Sequence, residues 1–147
     1  MRRTTFGICA LVVVLSGCGS SKKFANDPRP ATPVDLTVYI NNERVSVSPT
    51  RVGAGEVIFI VTNQADRAES LSIHPATDST TQLASTGPIQ PQATAQVTVD
   101  LKHPGEYTVA STSGGTQAQV ATAVRIQPAA LHIGPARPPS SGVLLQP

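Results

Sequence analysis

Val57-Ile58-Phe59-Ile60-Val61 is an unbroken apolar run, too short for a core helix and rich in β-branched side chains, so it reads as a central β-strand covered on both faces. Gly53 and Gly55 punctuate its start. Outward from this run the period is two. Val34, Leu36, Val38 and Ile40 alternate with Asp35, Thr37 and Tyr39, the pattern of a strand with one buried face. Val45 and Val47 continue it before Pro49. On the other side, Leu71 and Ile73 alternate with Ser70, Ser72 and His74, and Val97, Val99 and Leu101 with Thr98 and Asp100. Pro104-Gly105 offers the residues of a type II turn, proline fixing φ at its second position and glycine accepting positive φ at its third. Tyr107 and Val109 follow, and Val120, Thr122, Val124 and Ile126 give a last alternating stretch. About seven short strands separated by turn residues predict an all-β protein, a single antiparallel Greek-key β-sandwich over residues 34–128.

The flanks differ from this core. Residues 18–33 lack large aliphatic side chains and contain three prolines, which suits a flexible spacer. Residues 129–147, with Pro135, Pro138, Pro139 and Pro147, read as a Pro-rich tail without a fold of its own, although Leu131, Ile133 and Val143 to Leu145 are able to dock on the domain. The N-terminus carries Arg2 and Arg3, an apolar stretch from Ile8 to Leu15, and then Leu15-Ser16-Gly17-Cys18. The apolar stretch is far shorter than the ~20 residues that a spanning helix needs. This arrangement resembles the signal peptide and lipobox of bacterial lipoproteins. The resemblance implies that residues 1–17 are removed by cleavage between Gly17 and Cys18, and that Cys18 is lipidated and holds the protein on the cell membrane, facing away from the cytoplasm. The residues after Arg2-Arg3 match a twin-arginine export signal poorly.

Charge narrows the functional classes. Of the 11 Lys and Arg, Arg2 and Arg3 belong to the leader, and what remains balances the 9 Asp and Glu, so the formal excess of +2 is a property of targeting. A nucleic-acid partner is not expected. Cys9 leaves with the signal and Cys18 takes lipid, so no disulfide is expected in the mature chain.

The order of the motifs resembles the cupredoxin-like fold. It runs from an alternating strand through Pro49, Gly53-x-Gly55, the VIFIV strand, Asn63, Leu71-x-Ile73 and the strand at Ala95 to Leu101, to Pro104-Gly105-x-Tyr107. An immunoglobulin-like sandwich is the alternative, and the sequence has neither the tryptophan nor the cysteine pair that would favour it. The resemblance implies four copper-ligand positions, and all four hold other residues here: Glu69 and Gly114 for the histidines, Ser111 for the cysteine, and Gln119 near the axial methionine. A blue-copper centre selects its metal through soft sulfur, and no ligand position provides it.

Other candidate chemistry is sparse. His74, His103 and His132 share no metal-binding spacing, His74 with Asp78 lacks a G-x-S-x-G turn, and Gly53-Ala54-Gly55 precedes a strand instead of a phosphate-binding helix. Asp66, Glu69 and Asp78 are too widely spaced for a calcium loop. With few aromatic residues there is no stacking platform. No catalytic residue, cofactor or metal site is expected. The expected function is a lipid-anchored, non-catalytic binding or accessory module of the cell envelope with a protein partner. The alternatives are a thiolate-free metal-binding or metallochaperone-like accessory protein, and a carrier of an apolar ligand between the sheets.

Overall fold

A computed structural model of the chain describes residues 30–113 and 125–139. Eight strands form it: β1 (Val34–Ile40), β2 (Val45–Ser48), β3 (Arg51–Asn63), β4 (Glu69–Pro75), β5 (Ala84–Ser85), β6 (Thr94–Leu101), β7 (Gly105–Ser113) and β8 (Ala129–Ala136). They make two layers that share β3. The first runs β2-β1-β3-β6 and the second β3-β8-β7-β4-β5.

The long strand β3 joins the layers because it changes partners along its length. Arg51 to Ala54 pair with β8, whereas Gly55 to Thr62 pair with β6 and Val57 to Asn63 with β1. Between the two halves the ladder with β8 slips at Gly53/Ala54, and Gly55 has φ of 134°. Glycine is required at Gly55, since that backbone conformation opposes a side chain and a Cβ would come within 2.7 Å of the Arg137 guanidinium.

The sandwich is mixed, which corrects the expectation of a purely antiparallel one. β1 and β8 both run parallel to β3, while the other pairings are antiparallel. Period-two alternation encodes burial and is silent about direction. The chain leaves the first layer after β2, runs through the second in the early part of β3, and returns beside β1, and this detour makes β1 and β3 parallel.

One core lies between the layers. Leu36, Val38 and Ile40 of β1, Val57, Phe59 and Val61 of β3, Leu71 and Ile73 of β4, Val109 of β7 and Leu131 and Ile133 of β8 are fully buried. Burial of each such side chain contributes about 1.5–3 kcal/mol. The VIFIV run is central, as expected, but only one face is covered, for Ile58 and Ile60 are merely half-buried. Consecutive apolar residues did not require a second covering layer.

The domain boundary also needs correction. Ala129–Ala136 is a strand of the sandwich and not part of an unfolded tail, so the fold extends past residue 128. Pro135 is tolerated because the ladder passes from Gly53↔Gly134 to Ala54↔Ala136, leaving the proline without a partner in the bulge. The expected strand from Val120 to Val124 lies outside the described residues; Ile126 is buried in the core and Gln127 bridges to Arg44. At Pro104-Gly105 the glycine does have positive φ, but at 154° it is nearly extended and opens β7, which is not the geometry of a type II turn.

Candidate functional site

At one end of the sandwich, Asn63 closes β3 and organises the chain that follows. Its Oδ1 accepts the Ala65 N–H at 2.9 Å, and its Nδ2 donates to the carbonyls of Arg67 and Ile89 at 2.7 and 2.8 Å. This buried amide therefore ties the segment after β3 to the segment before β6. Ile89 in turn exchanges both backbone hydrogen bonds with Glu69, the first residue of β4.

Glu69 points into the sandwich and is fully buried. Register places it opposite Ser113, with Leu71 opposite Ser111. Ser111 Oγ donates to Glu69 Oε2 and Ser113 Oγ to Glu69 Oε1, each at 2.7 Å. Arg67, with its side chain 43% exposed, places Nε 3.9 Å from Oε1. Taking a carboxylate out of water costs several kcal/mol unless it is hydrogen-bonded and paired, and here both oxygens accept a hydroxyl while a cation lies nearby. The cluster is thus an internally satisfied polar knot tying β4 to the end of β7.

Glu69 and Ser111 are two of the four positions that the cupredoxin resemblance assigns to copper ligands, and the fold brings them within hydrogen-bond distance. Gly114 and Gln119, the other two, lie outside the described residues, as do Gly17 and Cys18. The pair that meets does not fit a blue-copper centre. It offers hard oxygen where imidazole nitrogen and thiolate sulfur are needed, and its acceptor atoms are already engaged.

The remaining candidates stay apart. His74 Nδ1 lies 3.1 Å from the Thr81 carbonyl, and Asp78 accepts from the hydroxyls of Thr80 and Thr81, so no His–Asp pair forms. His132 Nδ1 is 2.6 Å from Glu106 Oε1, an exposed cross-strand pair on β8 and β7. The His103 carbonyl accepts the Tyr107 hydroxyl at 2.7 Å. Asp66 accepts from Asn42 at 2.7 Å, far from Asp78 along the chain. Among the described residues no three His, Cys, Asp or Glu side chains come together as a metal site.

Sequence reasoning found the positions of Glu69 and Ser111 but missed their meeting and their burial. The signal was present: extending the Leu71/Ile73 period back by one step puts Glu69 on the inner face. A second omission is Arg137, which donates to the Glu56 carbonyl at 2.6 Å and lies over Gly53 and Gly55. No local pattern announces it.

No family model and no curated protein matches this sequence. Solved structures similar to it include auracyanin from the photosynthetic bacterium Roseiflexus castenholzii, at 13% identity and a TM-score of 0.48, covering 72% of this chain and 99% of that one. Azurin from the methylotroph Methylomonas sp. strain J gives 10% identity and a TM-score of 0.48, over 68% of this chain and 97% of that one. The copper-containing nitrite reductase of Thermus scotoductus gives 17% and 0.49, over 72% of this chain but 28% of that one. At such identities and scores these likenesses assign no activity. The strand arrangement by itself describes the chain as an all-β sandwich whose two layers share β3.

Proposed function

We propose that this chain is a membrane-anchored extracytoplasmic lipoprotein whose sandwich is a non-catalytic binding or accessory module of the cell envelope, with a protein partner. The observation that supports this most is the Glu69–Ser111–Ser113 knot. A hydrogen-bonded carboxylate occupies the end of the fold where the resemblance puts electron-transfer chemistry, and it ties two strands together. The space between the layers is filled by Phe59, Leu36, Leu71, Ile73, Leu101 and Leu131, which favours a binding surface over an interior apolar-ligand cavity. Lipid attachment at Cys18 supplies the membrane association. Copper titration tests the reading. Full-length protein purified without added thiol is expected to show no intense visible band with Cu(II) and no reversible redox wave. A strong thiolate-to-copper charge-transfer band would overturn it, and tight metal binding lost in Glu69→Gln would favour the thiolate-free metal-binding role instead.

A further inference from the structure

Resting on the binding-module reading, we infer that the outer face of the β2-β1-β3-β6 layer is the docking surface, and that its occupant is a protein with an apolar centre flanked on one side by Lys or Arg. The register defines this face. Across its middle lie Tyr39 beside Thr62, Ile60 between Thr37 and Gln96, and Ile58 between Asp35 and Thr98. Tyr39 is 44% exposed, one of two large hydrophobic side chains that exposed among the described residues, and Ile58 and Ile60 are partly exposed beside it. Alternation in a strand with one buried face calls for polar residues at 58 and 60, and the fold gains no core from isoleucine there.

Charge on the same face is one-sided. Outward positions of β1, β2, β6 and the part of β3 from Gly55 on carry no lysine or arginine, Arg51 lying in the part of β3 that pairs with β8, whereas Asp35, Glu56 and Asp100 gather at one end. Glu56 is directly opposite Asp100 on β6, a like-charge cross-strand pair that works against the isolated sheet. Lys102 reaches Asp100 at 3.3 Å, and the Arg137 guanidinium donates to the Glu56 carbonyl and not to its carboxylate. Among the described residues the carboxylates of Asp35 and Glu56 have no ion pair. A basic flank on a partner would relieve this repulsion and steer the encounter. The chain's own basic spacer contains Lys22 and Lys23 but only Phe24 as a large apolar residue, too little to cover Tyr39, Ile58 and Ile60.

Photo-crosslinking on the full chain tests the face. A photoreactive residue replaces exposed Thr98 on this face or exposed Ala130 on the outside of the other layer, in isolated envelopes. The expected result is an adduct at Thr98 but not Ala130, to a protein whose crosslinked peptide adjoins Lys or Arg. Adding Glu56→Lys should lower the adduct roughly tenfold, and so should high salt, while thermal stability holds or rises because the like-charge pair becomes an opposite one. That opposition separates docking from a structural effect, which would lower both. Adducts only at Ala130 would remove this face and leave the binding role, and no adduct at either position would remove both. An adduct to residues 19–33, to a second copy, or one insensitive to Glu56→Lys would also overturn the assignment.

Discussion

Glu69 shows how a buried polar residue is kept in an apolar sandwich. Both of its oxygens are occupied by hydroxyls from a neighbouring strand, so the cost of burial is offset only while Ser111 and Ser113 stay in register. Glu69→Ala removes two charge-assisted hydrogen bonds, strands the hydroxyls and leaves space, and should cost about 3 kcal/mol. Glu69→Gln keeps the shape and still accepts at its oxygen, and should cost about 1 kcal/mol. Urea unfolding at neutral pH reads both, with an unchanged dependence on denaturant showing that compactness is retained. Equal losses would mean that size and not hydrogen bonding holds the knot. The position was legible from motif spacing, whereas its partner was not, because the ladder that joins residue 69 to residues 111–113 is a tertiary fact.

At the scale of elements, the inner faces of β1, β4 and β6 follow directly from alternation, and β8 does not. Its apolar pair, Leu131 and Ile133, is too short a signal beside Pro128, Pro135 and the prolines beyond, and what makes it a strand is the vacancy between β3 and β7. A chain ending at residue 128 should therefore fail to unfold cooperatively, because it exposes the inner edges of both neighbours and loses two fully buried side chains. A chain ending at residue 139 should keep a sharp transition. Circular dichroism on the two truncations checks this, and cooperative unfolding of the shorter one would return β8 to the status of an appendage. The turn after β4 gives a second prediction. Asp78 is held at a pKa of about 2, below the ordinary 3.8, first by the Thr80 hydroxyl and then by the Thr81 hydroxyl. A depressed carboxyl pKa adds stability that is complete above the unfolded value and is lost as pH falls through the folded one, so the window is from about pH 4 down to about pH 2. Carboxyl NMR should place the midpoint of Asp78 near 2 and return it towards 3.8 in Thr80→Val/Thr81→Val. A midpoint unchanged by that double substitution would assign the shift to something other than the hydroxyls.

For the whole molecule, the proposed anchor sets where any binding surface works. Residues 18–33 precede β1 directly, and sixteen residues extend at most about 55 Å, so a lipid on Cys18 would keep the sandwich within that distance of the bilayer. Beside a membrane, Lys22, Lys23 and Arg29 would add an attraction to anionic headgroups of at most ~1 kcal/mol each, too little to retain the protein without lipid. One acyl chain gives marginal, reversible binding, whereas two or three bury enough methylenes, at ~0.8 kcal/mol each, to anchor firmly. Among the described residues no helix is long and apolar enough to cross a membrane, so the sandwich brings no helical span of its own. Membrane retention should therefore depend on a single sulfur atom. Cys18→Ala is expected either to release the chain into the soluble fraction or to leave it unprocessed, with a mass lacking lipid. Fractionation followed by intact-mass measurement distinguishes the two. A variant that stays with the membrane exactly as the unaltered protein does, at the mass expected for the substitution alone, would show that Cys18 carries no lipid and that something else holds the sandwich at the envelope.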